Sequence, residues 1–333
     1  MKSKVRIIPF QVVEQLNQFR IIPFQVVEQL NQFNEVPEGV ALIGAEQVWK
    51  QTKGRGITIA VLDTGCDVTH PDLQERIIGG KNFTQDDQQN PDIFQDYNGH
   101  GTHVAGTIAA AHNGTGVVGV APEVGLLILK VLDGNGSGQY EWIIQGINYA
   151  IEQKVDIISM SLGGPSDVPE LHEAIQDAVD QNILVVCAAG NEGDGEGFTD
   201  EFAYPGSYNE VISVGAVDLE KRSSVFSNSN NEVDVVAPGE KVVSTYLNGK
   251  YAALSGTSMA TPHVAGALAL IKVLSNEMFG RELTEPELYA QLIRRTLPLN
   301  ESPREVGNGF VHLTVVEKLL REIQRQMTSE VIG

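Results

Sequence analysis

Three short stretches of this sequence carry the residue types that activate a hydroxyl group for attack on a carbonyl carbon. Asp63 lies in AVLDTGCD, His100 in NGHGTHVAGT and Ser258 in LSGTSMATPHVAGALAL. A serine hydroxyl is a weak nucleophile until a neighbouring base accepts its proton, and a carboxylate commonly orients that base. An isolated serine before a helix is more often a simple N-cap, but the aspartate and histidine upstream favour a catalytic role. The stretches therefore predict acyl transfer by Ser258, with His100 as general base and Asp63 orienting it.

The tetrahedral intermediate of such a reaction needs hydrogen-bond donors for its oxyanion. Asn191 follows an apolar run in AAGNEG and offers a side-chain amide. Ser258 lies where a helix rich in Ala, Val and Leu is expected to begin. The first N–H groups of a helix have no partner within the helix, so the backbone N–H of Ser258 supplies a second donor.

The elements that must bring these residues together alternate between strand and helix from Gly56 onwards. Apolar patterns predict strands at residues 57–62, 126–132, 155–160, 183–189, 211–217, 233–236, 241–246 and 251–254, and helices at 100–111, 140–153, 169–181, from 258, at 285–295 and at 315–326. Residues 69–93 are expected to form an irregular surface. The alternation predicts an α/β fold, with helices on both faces of a mainly parallel sheet. Asp63, residues 161–164 and Asn191 each follow a strand, so they should meet at one edge of the sheet.

The composition limits the class of function and the location. The chain has 333 residues and a formal net charge of −20, which argues against binding of nucleic acid through its phosphates. No stretch reaches the roughly 18 uninterrupted apolar residues that span a membrane. Pro9, Gln11 and Glu14 interrupt the apolar residues near the N-terminus, so a secretory signal is not expected. Cys66 and Cys187 indicate no disulfide framework, and we expect two buried thiols in a reducing cytoplasm.

The order Asp, His, Ser differs from the His, Asp, Ser order of chymotrypsin-like proteases and the Ser, Asp, His order of α/β-hydrolases. Five blocks resemble the signature blocks of subtilisin-family serine proteases: DTG at 63–65, HGTHVAGT at 100–107, SLGG at 161–164, AAGN at 188–191 and GTSMATPHVAGA at 256–267. The resemblance covers residues 36–267. It implies a subtilisin-like three-layer α/β fold and hydrolysis of peptide bonds through an acyl-enzyme.

The resemblance also assigns roles by position. Asp63, His100, Ser258 and Asn191 match the family's orienting aspartate, general base, nucleophile and oxyanion donor, whereas His103 and the remaining histidines take packing or surface positions. Extended substrates in the family pair with two backbone segments and enter a specificity pocket with small walls, which implies broad specificity for polypeptides. The matching substrate-binding residues are Gly136, Ser137, Gly138, Ser161, Leu162, Gly163, Ala188, Ala189 and Gly190.

Calcium is the cofactor that the resemblance implies, and hard cations of this kind take oxygen ligands. A high-affinity site is expected at Asp72 and Asn113 together with the carbonyl groups of Ala111, Thr115 and Val117. Asn34 is a weaker candidate for the same shell. A second, weaker site for Ca²⁺ or Na⁺ is expected at the carbonyl groups of Gly206, Tyr208 and Val211 with the side chain of Asp234.

The N-terminal region contains a tandem repeat. RIIPFQVVEQLNQF occurs at residues 6–19 and again at 20–33. Either a recent duplication or a deliberate design would account for the repeat. The IIPF motif and the acidity of the chain resemble the intracellular subtilisins of bacilli, whose N-terminal extension carries LIPY and lies across the active site as an inhibitor. IIPF departs from LIPY at two positions, both conservative in size.

Either copy of IIPF can occupy the active-site cleft. We expect the second copy, Ile21, Ile22, Pro23 and Phe24, because its distance from Val36 matches a single-copy arrangement. A proline in the cleft bends the backbone and draws the adjacent bond away from Ser258; a disordered leader is the other interpretation. Residues 1–35 are thus predicted to be an inhibitory propeptide, 36–310 a catalytic domain, and 311–333 a C-terminal helix and tail that is the candidate contact of a homodimer.

Two rival functions stay open at the level of the sequence. One is a catalytically silent scaffold that its own duplicated leader blocks permanently, and the other is an esterase that uses the same acyl chemistry. The complete set of triad residues argues against the first, and the expected strand-pairing groove favours peptides over simple esters. The favoured function is a calcium-stabilised intracellular serine endopeptidase, made as an inhibited precursor and processed by itself.

Overall fold

A computed structural model of the chain describes residues 18–22 and 25–316. Within them the strands are, in chain order, β1 (Gln18–Ile21), β2 (Gln25–Leu30), β3 (Thr58–Asp63), β4 (Ile77–Asn82), β5 (Gly125–Lys130), β6 (Ser137–Gln139), β7 (Ile157–Met160), β8 (Leu162–Gly163), β9 (Leu184–Ala188), β10 (Ile212–Val217), β11 (Val235–Pro238), β12 (Val242–Tyr246), β13 (Lys250–Ser255), β14 (Thr296–Leu297) and β15 (Phe310–Val311). The α-helices are α1 (Glu38–Leu42), α2 (Ala45–Val48), α3 (His100–Ala109), α4 (Tyr140–Glu152), α5 (Pro169–Asp180), α6 (Thr257–Phe279), α7 (Glu285–Ile293) and α8 (Pro303–Val306).

The central sheet of this part of the chain has nine strands in the order β14-β15-β11-β10-β9-β7-β3-β5-β4. Neighbouring strands are parallel, except for the antiparallel pair β14–β15 at one edge. Two three-stranded sheets lie outside it, with the orders β6-β1-β8 and β12-β13-β2. The predicted α/β fold with a mainly parallel sheet is confirmed.

Buried side chains of the central strands divide between two hydrophobic cores. Ile59 and Val61 of β3 belong to the core that contains residues of α3 and α6, whereas Ala60 and Leu62 belong to the core that contains residues of α4 and α5. Successive residues of a strand point to opposite faces, so this alternation places helices on both faces of the sheet. It also explains why the strands read as continuous apolar runs in the sequence.

Helix α6 is the long helix of the first core. It is long and apolar enough to cross a membrane by length and composition, but 89% of its apolar window is buried inside the protein, as in the core helix of a globular domain. The helix ends at Gly280, whose φ of +66° is in the left-handed region that favours glycine. The next helix, α7, begins with the predicted capping box between Thr284 and Glu287.

One expectation about the fold is wrong. Residues 69–93 are not an irregular surface throughout, because strand β4 lies within them and pairs in parallel with β5 at the edge of the sheet. Gly79, Gly80 and Lys81 have low strand propensity, and only the pairing with β5 makes the segment a strand. The helix predicted at 315–326 lies beyond the described residues except for its first two positions.

Candidate active site

Asp63 and His100 are brought together by the strand and the helix that carry them. Asp63 is the last residue of β3, and His100 is the first residue of α3. His100 Nδ1 donates a hydrogen bond of 2.7 Å to Asp63 Oδ1, and both side chains are buried. The two elements approach closely because residue 101 is glycine, since a Cβ there would collide with the backbone oxygen of Gly65.

Ser258 lies in the first turn of α6, as the sequence predicts. Its hydroxyl donates to the backbone oxygen of Ser161 at 3.1 Å, and the Ser161 hydroxyl donates back to the Ser258 carbonyl at 2.9 Å. These reciprocal bonds hold the helix start against the end of strand β7. The nucleophile candidate is therefore fixed beside the segment that the sequence assigns to substrate binding.

Asn191 follows β9 through a glycine turn. Gly190 has a φ of +115°, a conformation that a side chain would strain. Asn191 Oδ1 accepts hydrogen bonds of 2.9 Å from both the backbone N–H and the hydroxyl of Thr257. Because the oxygen of the amide is engaged by the residue before Ser258, the orientation of the Asn191 side chain is set by the same helix start that carries the nucleophile.

The predicted substrate-binding segments form the walls of a groove. Gly136 precedes β6, which contains Ser137 and Gly138, and Ser161 precedes β8, which contains Leu162 and Gly163. Ala188, the last residue of β9, and the following Ala189 and Gly190 are buried behind the groove.

Residues of the N-terminal repeat occupy this groove. Strand β1 lies between β6 and β8 and pairs antiparallel with both, with Phe19 opposite Gly138 and Ile21 opposite Leu162. The Ile21 N–H donates to the Gly136 carbonyl at 2.8 Å. Ile22 is 2% exposed, and a Cβ on Gly163 would lie 3.3 Å from its side chain. Pro23 and Phe24, the other two residues of the expected inhibitory segment, lie outside the described residues.

Asp96 is a buried residue beside the site that the sequence analysis missed. Its carboxylate is buried and accepts five hydrogen bonds of 2.7–3.0 Å, from the hydroxyl of Thr64, from the backbone N–H groups of Asn98 and Gly99, and from both the N–H and the hydroxyl of Thr102. Thr64 follows Asp63, and the other donors surround His100. Local sequence carries no clear signal for this role, because Asp96 lies before the N-cap residue of α3, Gly99, and its contact with Thr64 joins distant parts of the chain.

Lys130 is a second missed residue near the site. Its side chain is fully buried, and Nζ donates to the carbonyl groups of Thr64 at 2.7 Å and Leu132 at 3.1 Å. Asp86 Oδ2 lies 3.0 Å from the same nitrogen and neutralises its charge. Lys130 therefore holds the backbone carbonyl of Thr64, the residue whose hydroxyl donates to Asp96.

The residues expected to hold calcium lie together around Asp72. Its carboxylate is 1% exposed and accepts hydrogen bonds from Asn113 Nδ2, the Val117 N–H and the Tyr251 hydroxyl at 3.0–3.1 Å. These donors are neutral, and a buried carboxylate gains from a nearby cation.

The backbone of the neighbouring loop packs closely against this carboxylate. The loop from Ala111 to Val117 wraps closely around it, since a Cβ on Gly116 would collide with Asp72 Oδ2. Gly116 in turn forms a parallel bridge with Asn34. No group of three or more His, Cys, Asp or Glu side chains gathers into a metal centre within the described residues. The Asp72 carboxylate is an oxygen ligand of the kind that calcium prefers, whereas Asn113 directs its amide nitrogen to Asp72 and its Oδ1 accepts from Thr115, so the amide would have to turn over to serve as a ligand.

Asp234, the side chain of the expected second cation site, has protein partners. Its oxygens accept from the Tyr289 hydroxyl at 2.6 Å and from the Ser213 N–H at 2.8 Å. Burial raises the pKa of its carboxyl to about 6, partly offset by these hydrogen bonds. Gly206 packs against the Ala188 carbonyl, and Tyr208 and Val211 are buried. The second site stays a prediction.

Two of the other histidines and both cysteines are buried in the protein. His103 and His263 are fully buried, and burial lowers their pKa values to about 3 and about 4. His103 Nε2 donates to the carbonyl groups of Val242 and Ala252. Cys66 and Cys187 are buried free thiols whose pKa values are raised by burial, so neither is an activated nucleophile.

Comparison with known proteins agrees with this geometry. The model of the subtilase family of peptidases matches residues 54–309. The chain is 68% identical over 333 residues to an intracellular serine protease of Paenibacillus polymyxa. The aligned region covers 100% of this chain and 98% of that protein. It is 60% identical over 327 residues to the major intracellular serine protease of Bacillus subtilis (98% of each), and 49% identical over 236 residues to subtilisin E of the same species (71% of this chain, 60% of that protein). The chain belongs to the subtilase family.

Proposed function

We propose that this chain is a calcium-stabilised serine endopeptidase of the cytoplasm whose N-terminal segment inhibits it until the protease removes that segment. The observation that carries the proposal is strand β1, which fills the groove beside Ser258 in the manner of an extended peptide. The two relatives that match almost the whole chain are named intracellular serine proteases. That agreement supports both the activity and the location.

The geometry supports acyl transfer by a sequence of proton movements. The Ser258 hydroxyl, which donates to the Ser161 carbonyl in this structure, turns to His100 Nε2 and passes its proton there as its oxygen bonds to the substrate carbonyl carbon, while Asp63 keeps Nδ1 protonated and steadies the imidazolium. The Asn191 amide and the Ser258 N–H stabilise the oxyanion. His100 then gives the proton to the leaving amine, the peptide C–N bond breaks, and water resolves the acyl-enzyme by the same steps.

A groove that pairs with backbone favours polypeptides over simple esters. Strand β1 forms antiparallel ladders with β6 and β8, and a substrate that replaces β1 gains the same backbone hydrogen bonds. A small ester offers no strand to pair. The peptide-bond reaction is therefore the better use of this site than the esterase reaction.

The register of β1 explains how the segment can inhibit without being cut. Arg20 lies opposite Gly163 and Ile21 opposite Leu162, so Ile22 is in register with Ser161, whose carbonyl accepts from Ser258. The bond that follows Ile22 leads to Pro23, and proline fixes its backbone and lacks an N–H. We propose that this bond is held away from attack, and that processing occurs elsewhere in the N-terminal region.

Calcium is assigned to the site around Asp72. Asp72 and Asn113 would hold the ion together with the carbonyl groups of Ala111, Thr115 and Val117, and Asn34 would approach from the N-terminal side through its bridge to Gly116. Calcium held there would neutralise the buried carboxylate and stiffen the loop. The division into residues 1–35, 36–310 and 311–333 and the homodimer contact stay predictions.

Burial of the catalytic side chains gives the rival function its support. Asp63, His100 and Ser258 are all 0–1% exposed, which suits a scaffold that its leader blocks permanently as well as a precursor. The two functions differ in whether the chain can remove its own N-terminal segment.

The intact mass of the full chain, followed over time in calcium and in a calcium chelator, tests the proposal. We expect the native chain to lose an N-terminal segment in calcium, and the matched Ser258→Ala chain to stay whole. Active-site labelling with a fluorophosphonate should increase as the mass falls. If the native chain stays whole and Ser258 resists labelling, the blocked scaffold is the correct function.

A further inference from the structure

The strand in the groove crosses the junction of the tandem repeat. Gln18 and Phe19 of β1 are the last residues of the first copy, and Arg20 and Ile21 are the first residues of the second. The groove is therefore filled by neither copy alone. The first copy contributes two residues to the strand: Gln18, which pairs with Gln139, and Phe19, which pairs with Gly138.

Phe19 is fully buried in the groove. It is 0% exposed and belongs to the core that contains residues of α4 and α5. Its ring meets the ring of Tyr140, the first residue of α4, edge to face at a centroid distance of 4.5 Å and an interplanar angle of 80°. This is a favoured arrangement for two aromatic rings, beyond the gain from burial. Gly138 is opposite Phe19 in the strand pairing, and Gly164 lies beside the ring, since a Cβ there would be in ordinary contact with it at 3.7 Å.

The same position would hold a smaller residue if the repeat were single. Val5 precedes Arg6 in the first copy as Phe19 precedes Arg20 in the second. A chain without residues 6–19 would join Val5 directly to Arg20, so that Val5 replaces Phe19 and Lys4 replaces Gln18, while the residues from Arg20 onwards are unchanged. The three-carbon side chain of valine cannot fill the volume of a phenyl ring, so the contact with Tyr140 would be lost and a void would remain.

We infer that the repeat junction supplies an aromatic anchor: Phe19 from the first copy locks the second copy into the groove, and the tandem leader closes the active site more tightly than a single copy. The inference rests on the proposed inhibitory role of the segment. It gives the duplication a function that depends on residues of both copies.

The test measures how often the groove opens in the full chain. A fluorophosphonate reaches Ser258 only when the groove strand is displaced, so the initial labelling rate reports the open fraction. Rates are taken on the native chain, on Phe19→Val, on the deletion of residues 6–19, and on that deletion with Val5→Phe. Intact mass confirms that each chain is still full length during labelling.

We expect Phe19→Val and the deletion to label about tenfold faster than the native chain, the factor that corresponds to about 1.4 kcal/mol of lost binding. Val5→Phe in the deletion should restore slow labelling, because it returns the ring to the same register. Two results would overturn the proposed anchor role of Phe19. One is labelling of Phe19→Val at the native rate, and the other is labelling of the deletion chain that Val5→Phe does not slow.

Ile22→Asp separates this inference from the proposed function. A carboxylate at that buried position should expel the strand and give rapid labelling. If the native chain already labels as fast as Ile22→Asp, the segment is not an inhibitor and the proposed function fails. If Ile22→Asp is fast while Phe19→Val equals the native chain, only the anchor fails. Thermal unfolding of each variant with Ser258→Ala checks that the catalytic domain is folded.

Discussion

At the scale of single residues, the side chains with a chemical role are held by bonds to the backbone of the elements next to them. Ser258 bonds to the carbonyl of Ser161, and Asn191 bonds to the N–H of Thr257. Such bonds leave little freedom to the reacting groups before a substrate arrives. The bond to Asn191 Oδ1 orients the amide nitrogen of the same side chain, and preorganised donors such as that nitrogen supply much of the stabilisation of the transition state.

Asn191→Ala should lower kcat by about 100- to 1,000-fold with little change in KM, because the amide bonds to the oxyanion only as negative charge develops. The measurement is steady-state hydrolysis of a peptide p-nitroanilide by the processed enzyme. Asn231→Ala, at an exposed asparagine, is the control and should keep the native kcat. A fall in kcat of less than tenfold for Asn191→Ala would contradict the assignment.

At the scale of elements, one carboxylate joins the strand that carries Asp63 to the helix that carries His100. Asp96 accepts from Thr64 beside Asp63 and from Gly99 and Thr102 on either side of His100. Both elements thus share a single hydrogen-bond acceptor. The separation of the two triad side chains depends on that acceptor as well as on their own contact.

Asp96→Asn should destabilise the protein by about 2–3 kcal/mol, because an amide nitrogen would face donors that now have an oxygen. It should also lower kcat/KM about tenfold or more in the folded fraction, since Asp63 and His100 would shift relative to each other. Urea unfolding with Ser258→Ala gives the first quantity and peptide hydrolysis the second. The control is Asp92→Asn at an exposed carboxylate of the same loop. A native kcat/KM in folded Asp96→Asn would show that the network is only structural.

At the scale of the whole molecule, stability should fall in mild acid. His103 and His263 are buried, and their pKa values of about 3 and about 4 lie below the usual 6.5. In mild acid these two imidazoles therefore bind protons in the unfolded chain but stay neutral in the folded chain. The stability that they contribute is present above pH 6.5 and is lost as the pH falls towards 4 and 3.

Each of these histidines should remove about 2–3 kcal/mol of unfolding free energy between pH 7 and pH 4.5. Urea titrations of Ser258→Ala at several pH values measure the total. His103→Gln can still donate to the carbonyl groups that His103 contacts, and it should show a shallower dependence on pH than its parent. Equal slopes for the variant and the parent would rule out His103 as a source of the acid sensitivity.

The sequence by itself determined the α/β architecture, the family and the triad candidates, because buried parallel strands leave long apolar runs and the reactive residues sit in short local blocks at strand and helix ends. The sequence did not predict strand β4 or the contacts of Asp96 and Lys130. These features depend on partners far along the chain and not on a local sequence pattern. The tertiary structure alone decided that the groove strand spans the repeat junction. The register of this strand is set by its pairing with β6 and β8 and by the contact of Phe19 with Tyr140. The sequence of the repeat alone predicts neither of these interactions.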